Sequence, residues 1–222
     1  MMLITVDGPA GAGKGTVCRL LAREYNLIHI ESGLFYRSLG YGAYTQNVDF
    51  QNSQALEKLA ENHDFSDLHN PHLRSEEVAQ MASKISVIPA VREIVNKKLQ
   101  DLFHYIRPPF NGLIADGRDM GTVVFKNAPV KIYLTADSEI RAQRRARELS
   151  KEEASLSKEV SQRDERDSAR QVAPMEAAPD AHVVDSTHME IEKVITEVKK
   201  IMRKAYPDLD KLIVNNFAEA RV

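Results

Sequence analysis

The sequence predicts an α/β fold, a parallel five-stranded sheet flanked by helices with a helical lobe inserted between two of its strands. Three observations predict it. Short apolar runs alternate with amphipathic segments along the 222 residues, the pattern of strands that each return through a helix. The first run, residues 3–7, passes straight into the glycine-rich stretch Gly8-Pro9-Ala10-Gly11-Ala12-Gly13-Lys14-Gly15-Thr16 and then into an amphipathic segment, residues 17–25. A long, mostly helical excursion separates the second run from the third.

The glycine-rich stretch therefore sits at a strand-to-helix turn. A phosphate chain needs closely spaced backbone N–H donors, a helix N-terminus directed at it and one mobile cation. The glycines and Lys14 supply these. The stretch matches the P-loop pattern G-x-x-x-x-G-K-[ST] except at the last position, where Gly15 stands and the hydroxyl follows on Thr16. This makes the expected sheet one of the P-loop NTPase type, with Gly8 to Thr16 as a nucleotide phosphate cradle. The G-K-G-T ending resembles nucleoside monophosphate kinases more than GTPases or motor ATPases.

The second run, Leu27-Ile28-His29-Ile30, ends at Glu31-Ser32-Gly33 and feeds a second helix that Ser32 is placed to cap. Tyr36 and Arg37 follow one turn later, near the carboxyl edge of the sheet, where Arg37 is expected to meet phosphate. The excursion carries a helix over residues 53–61, a polar loop, a helix from about Ser75 to Ser83 and another opened by Pro89 that bears Arg92. A lobe of this kind closes on substrate. The third run, residues 111–115, delivers Asp116-Gly117-Arg118-Asp119, and an acid at the end of a buried strand opposite a phosphate loop is where a metal-water ligand belongs.

Residues 129–134 read as the fourth strand. The helix after Asp137 carries Arg141, Arg144, Arg145 and Arg147, which repel one another unless something anionic faces them. Residues 150–158 have the low apolarity of a mobile flap, and Arg163, Asp167 and Arg170 follow on a polar helix. His182-Val183-Val184-Asp185 reads as the fifth strand, Thr187-x-x-Glu190 as a capping box, and Ile191, Val194, Ile195, Val198, Ile201 and Met202 as the core stripe of the last helix. Residues 209–222 form a tail whose Leu212-Ile213-Val214 is apolar enough to dock on the core or on a partner.

Apolar content of 43% and charged content of 28% describe an ordinary globular protein. A net charge of −2 gives no overall attraction to nucleic acid or acidic membranes, so anion binding must be local. Cys18 is the only cysteine, which excludes an internal disulfide and suits a buried packing role. His69-x-x-His72 lacks further ligands at metal spacing. No run is long enough for a membrane span, and the expectation is a cytoplasmic, monomeric enzyme with no nucleic-acid or membrane partner.

Arginines 37, 92, 118, 144, 145, 163 and 170 are the strongest chemical signal after the loop. They suit an acceptor that is itself a phosphate, an anionic nucleophile that needs no base but must be brought against another phosphate. Gly8 to Thr16, Ser32-Gly33 with Tyr36-Arg37, Ala115-Asp116-Gly117-Arg118-Asp119-Met120-Gly121-Thr122-Val123-Val124-Phe125, and Arg163-Asp164-x-x-Asp167-x-x-Arg170 with Ala173-Pro174 together resemble the bacterial cytidylate kinases. The resemblance runs from about Leu3 to Met202.

It implies transfer of the γ-phosphoryl of ATP to CMP or dCMP with Mg2+, by a single P-loop kinase domain. Its core would span residues 1–36, 107–140 and 171–205, its lobe for the nucleoside monophosphate 37–106 and its lid 141–170, with a tail over 207–222. Carried over by residue, it implies Ser32, Ser83, Arg92 and Asp119 around the cytidine, phosphate contacts from Arg37 and Arg118, and Arg163, Asp167 and Arg170 at ribose and phosphate. Lys14, Arg118, Arg163 and Arg170 are the implied catalytic residues, and Thr16 and Asp116 the metal residues, directly or through water. The chain departs from that family at Glu31, where Asp is usual, and at residues 62–73, too short and polar for the three-stranded insert that many bacterial members carry. The competing readings are another P-loop kinase with a different monophosphate or alcohol acceptor, and a regulatory P-loop protein with no acceptor.

Overall fold

A computed structural model of the chain describes residues 1–149 and 153–213. Five strands form one sheet in the order β2-β3-β1-β4-β5: β1 (Met2–Asp7), β2 (Leu27–Glu31), β3 (Gly112–Gly117), β4 (Val130–Thr135) and β5 (His182–Asp185). Every pairing is parallel, with Asp7 opposite Gly117 on one side of β1 and Tyr133 on the other. The chain leaves β1 toward β2 on one flank and reaches β4 on the opposite flank. The crossover directions therefore diverge at β1, and a crevice opens at its carboxyl end.

The central strands alternate between two cores, as a sheet covered on both faces requires. Met2, Ile4 and Val6 of β1, Ile114 of β3, and Val130, Ile132 and Leu134 of β4 face α1 (Lys14–Tyr25) and α8 (Ile191–Ala205), from which Val17, Leu21, Val194, Val198 and Met202 fill the layer. Leu113 and Ala115 face the other way, toward α2 (Ser32–Thr45) and α5 (Pro89–His104). The helices α3 (Ser53–Asn62) and α4 (Glu76–Ile85) extend this second core beyond the sheet through Leu56, Ala60, Ala82 and Ile85. Asn52 caps α3 and Ser75 caps α4 through side-chain oxygens. In residues 62–73, where the sequence is too short for a β insert, His63 bonds Ser38 Oγ at 2.7 Å and Leu73 is buried.

The α6 helix (Ser138–Leu149) and α7 helix (Glu153–Ser168) pack on one another beside the crevice. The expected flap at 150–158 is helical from Glu153, and residues 150–152 lie outside the described residues. Two expected caps are absent. Ser32 is the first residue of α2, not its cap, because its hydroxyl is drawn across to the carbonyl of Asp116 at 2.8 Å. Thr187 does not form a capping box with Glu190: its hydroxyl bonds Asp185 at 2.5 Å and accepts the N–H of Asp137 at 2.9 Å, and α8 starts at Ile191 with no side-chain cap. At Ser32 a partner on another strand captures the hydroxyl, and at Thr187 a residue two places back and a loop N–H do so together.

The first part of the tail docks on the core. Leu209 is buried, Leu212 and Ile213 pack against the α1–α8 layer, and Tyr206 Oη both accepts from Leu3 N at 2.9 Å and donates to Leu3 O at 3.2 Å. Val214, the last of the three apolar tail residues, lies outside the described residues.

Candidate active site

The loop between β1 and α1 is shaped by close backbone approach. Gly8 (φ +141°) and Gly11 (φ +75°) occupy conformations open to glycine, and a Cβ would lie 2.0 Å from Leu134 O at the first and 2.5 Å from Arg141 O at the second. Gly13 is the N-cap of α1 with no side chain on the helix's first N–H groups, so these are left for an anion. Ala10 to Thr16 line a cavity of about 520 Å³ at the carboxyl end of β1; Gly8 and Pro9, expected in the phosphate cradle, are not among its lining residues, because Gly8 packs on the backbone of Leu134 and the Pro9 carbonyl is taken by Lys14.

Lys14 Nζ donates to Pro9 O at 2.8 Å across the loop. Burial pushes its ammonium down to about 7, and the Arg118 guanidinium adds to the effect. Asp7, at the end of β1, accepts the N–H groups of Met120 and Gly121 at 2.8 and 2.7 Å, and so ties the start of the phosphate loop to the turn after β3. Burial raises its carboxyl to about 7 despite those two bonds.

From the opposite wall a group of guanidiniums converges on one carboxylate. Asp167 of α7 receives Arg118 Nε at 2.9 Å and Arg170 Nη2 at 2.7 Å, with Arg163 Nε at 3.9 Å. Burial opposes the charge on Asp167, but Arg118, Arg163 and Arg170 outweigh it and hold the carboxyl below its usual range. One anion does not satisfy three cations. Arg163 is pushed down to about 9 by burial and then by Arg118 and Arg37, and Arg37 to about 10 by burial and then by Arg145. Across the cavity lining, ten Lys and Arg side chains face five Asp and Glu, so the site is short of negative charge.

Further along the cavity Arg92 forms a buried ion pair with Asp119, donates to Ser86 O at 2.9 Å and lies 5.5 Å above the ring of Tyr36. Arg37 donates to Leu73 O at 2.8 Å, so the short polar loop sets its direction. Buried polar atoms without a hydrogen-bond partner concentrate here: Tyr36 Oη, Ser83 Oγ and the Nε atoms of Arg37, Arg92, Arg163 and Arg170 all belong to cavity-lining residues. Such groups are costly unless a ligand meets them.

Every candidate residue from Ala10 to Thr16, together with Ser32, Arg37, Ser83, Arg92, Asp116, Arg118, Asp119, Arg163, Asp167 and Arg170, borders this one cavity. The chain matches the family model described as cytidylate kinase over residues 4–204. The chain belongs to the cytidylate kinase family. It is 44% identical over 218 residues to the cytidylate kinase of Azotobacter vinelandii, covering 89% of this chain and 93% of that one. A Pseudomonas aeruginosa cytidylate kinase is 42% identical over 217 residues, and the Methylococcus capsulatus one 39% over 212, covering 88% and 87% of this chain and 93% of each relative.

In this cytidylate kinase family member the partners of several charged residues escape sequence reasoning. Arg141 and Asp164 pair with one another, and both grip Ala10: Asp164 accepts its N–H at 3.1 Å and Arg141 donates to its carbonyl at 3.0 Å. Arg145 pairs with Glu76 at 3.1 Å, and Arg166 bonds Gln80, joining the α6–α7 pair to α4. Arg144 bonds the hydroxyl and carbonyl of Ser186 at 2.9 and 2.8 Å and lines the cavity. The clustering of arginines after Asp137 was the available signal; which of them face an anion depends on helices distant in the chain. Asp7 was signalled only by its place at a strand end before the loop.

Two predictions follow from this electrostatic arrangement. Burial lowers the Lys14 ammonium to about 7 from the usual 10.5, and the expected outcome is a lysine largely neutral at pH 8 in the free protein. A bound phosphate restores the charge, so nucleotide binding at pH 8 takes up close to one proton, less at pH 6, and none at this position in Lys14→Met. Calorimetry in buffers of different ionisation enthalpy measures the uptake. Asp167→Asn leaves three guanidiniums without their shared anion and lowers stability by about 3–5 kcal/mol in urea unfolding. Added sulfate then stabilises the variant more than the parent protein; an equal response in both would refute the hub role of Asp167.

Proposed function

We propose that this protein transfers the γ-phosphoryl group of ATP to CMP and dCMP, forming CDP and dCDP, with the two nucleotides meeting phosphate to phosphate in the crevice above β1. The observation that carries this reading is the excess of buried, partly unsatisfied cationic groups along a single cavity that begins at Lys14 and ends at the Arg92–Asp119 pair. Membership of the cytidylate kinase family supports the same reaction.

The chemistry follows from charge. An oxygen of the acceptor phosphate forms a bond to the γ-phosphorus, and the bond from that phosphorus to the β–γ bridging oxygen breaks, leaving ADP with the electron pair. The acceptor is already an anion, so no base is needed. Bringing two unit charges to about 4 Å costs roughly 4 kcal/mol at an effective dielectric of 20. In this reading Arg37 and Arg118 hold the acceptor phosphate, Arg163 and Arg170 follow the charge that moves during transfer, and Lys14 with the N–H groups of Ala10 to Thr16 holds the ATP phosphates. Gly8 and Pro9 support that loop from behind.

Asp167 keeps the guanidiniums aimed into the cavity while leaving Arg163 and Arg170 under-neutralised. Ser32, Ser83, Arg92 and Asp119 read the cytidine, a guanidinium suiting the cytosine carbonyl and a carboxylate its amino group. Thr16 and Asp116, a hydroxyl and a carboxylate bordering the same cavity, are hard oxygen donors that suit Mg2+ and would hold it directly or through water. When bound, that ion neutralises charge on the ATP phosphates.

The reading divides the chain into a core (1–36, 107–140 and 171–205), a lobe for the monophosphate (37–106) and a lid (141–170), followed by the tail (207–222). It describes a monomeric cytoplasmic enzyme without nucleic-acid or membrane partners. No helix among the described residues is long and apolar enough to cross a membrane.

A coupled assay of ADP release with CMP, dCMP, UMP, AMP and no acceptor tests the assignment. Turnover is expected with CMP and dCMP; preference for AMP, or equal release without acceptor, would overturn it. Arg92→Ala is expected to weaken CMP use by about 2–4 kcal/mol, roughly 30- to 1000-fold in kcat/KM, with ATP binding little changed. Equal losses for both nucleotides in calorimetry would remove Arg92 from the cytidine subsite.

A further inference from the structure

Beneath the phosphate loop three side chains of different chemistry meet that the transfer reaction does not use together. Cys18 lies on α1, one turn after Lys14, as a free and fully buried thiol. His29 projects from β2, and Asp116 ends β3 with 4% exposure. A thiol sulfur, an imidazole nitrogen and a carboxylate oxygen from these residues lie within 4.8 Å of one another. His29 Nε2 already stands 2.9 Å from Asp116 Oδ2. Among the described residues no other trio of histidine, cysteine and acid side chains comes together in this way.

We propose that Cys18, His29 and Asp116 form a site for a borderline-soft divalent cation such as Zn2+, and that filling it withdraws Asp116 from the nucleotide cleft and inhibits transfer. Donor chemistry and charge both favour the site. Sulfur and nitrogen select zinc or cobalt over magnesium, which prefers oxygen alone. Donors bound at zinc distances of about 2.0–2.3 Å in a tetrahedron stand roughly 3.5 Å apart, so from a widest separation of 4.8 Å the thiol has to close by about 1.3 Å at most while His29 and Asp116, at 2.9 Å, part slightly. The thiol releases its proton to solvent on binding, and the resulting thiolate and carboxylate balance the two positive charges, with neutral imidazole as third ligand. Three protein ligands leave the fourth position open. Asp116 and Gly15 border the nucleotide cavity, and a Cβ on Gly15 would sit 3.7 Å from Asp116 Oδ2, so the carboxylate side of the site adjoins the phosphate loop. Binding of the metal stands on this geometry alone, whereas inhibition rests also on the proposed role of Asp116 in the kinase reaction.

The test uses full-length untagged protein freed of metal by chelator and titrated with Co2+. One equivalent is expected to produce a near-ultraviolet thiolate-to-cobalt band together with the visible bands of tetrahedral cobalt, both removed by Zn2+. Cys18→Ala should lose the near-ultraviolet band, and His29→Gln should bind cobalt at least about tenfold more weakly. In the CMP assay with excess Mg2+, Zn2+ should inhibit the parent protein while Cys18→Ala keeps its turnover in the presence of Zn2+. Absence of the charge-transfer band, or its persistence in Cys18→Ala, would overturn the site. Equal zinc inhibition of parent and Cys18→Ala would overturn the withdrawal of Asp116. Lack of CMP turnover before any zinc is added would overturn the kinase reading and leave the cobalt spectrum to decide the site.

Discussion

The site depends on how one carboxylate, Asp167, gathers three guanidiniums. Arg118 comes from the end of β3, while Arg163 and Arg170 come from α7 and the turn after it. Without a buried anion, three cations at this separation would repel one another and turn outward to water. With several anions they would be neutralised and indifferent to phosphate. Asp167 holds them inside the crevice; Arg118 is well compensated, while Arg163 and Arg170 keep a lowered basicity. Burial first, and neighbouring guanidiniums second, lower the basicity of Arg163, Arg37 and Lys14, whereas at Arg118 burial is outweighed by the surrounding carboxylates, which raise its own.

A cationic cleft of this kind needs mechanical support, and the α6–α7 pair supplies it by gripping two neighbours. Toward the phosphate loop, Arg141 and Asp164 hold both backbone groups of Ala10. Toward α4, Arg145 holds Glu76 and Arg166 holds Gln80. The two arms of α6–α7 thus draw the helices beyond the sheet edge and the glycine-rich loop toward each other over the crevice. These contacts are charge-assisted and partly buried, strong enough to define the arrangement.

The shortened segment at residues 62–73 shows how a departure from a family pattern is accommodated. In place of a β insert the chain folds back so that Leu73 is buried and its carbonyl receives Arg37. Ser38 and His63 close the polar loop against α2. Arg37, one of the two arginines given to the acceptor phosphate in the proposed reaction, is therefore aimed by the backbone of the segment that the insert would otherwise extend.

Much of this protein was legible from its sequence because the signals are local. The glycine spacing before Lys14 specifies a loop whose φ angles and close approaches exclude side chains, and the short apolar run ahead of it specifies a buried strand. The apolar stripe of α8 specifies its packing face. The helix caps expected at Ser32 and Thr187 fail because their hydroxyls have other partners: Asp116 on β3 takes Ser32, while Asp185, two residues back, and the N–H of Asp137 take Thr187. Which arginines after Asp137 turn inward, how Asp167 shares itself among three of them, and the meeting of Cys18 with His29 and Asp116 were decided only by tertiary structure. Sequence by itself determined the elements and the residue types that bind phosphate, since both follow from neighbours along the chain. The directions of the long charged side chains were settled by burial and by partners dozens of residues away, where the cost of an unpaired charge exceeds any local preference.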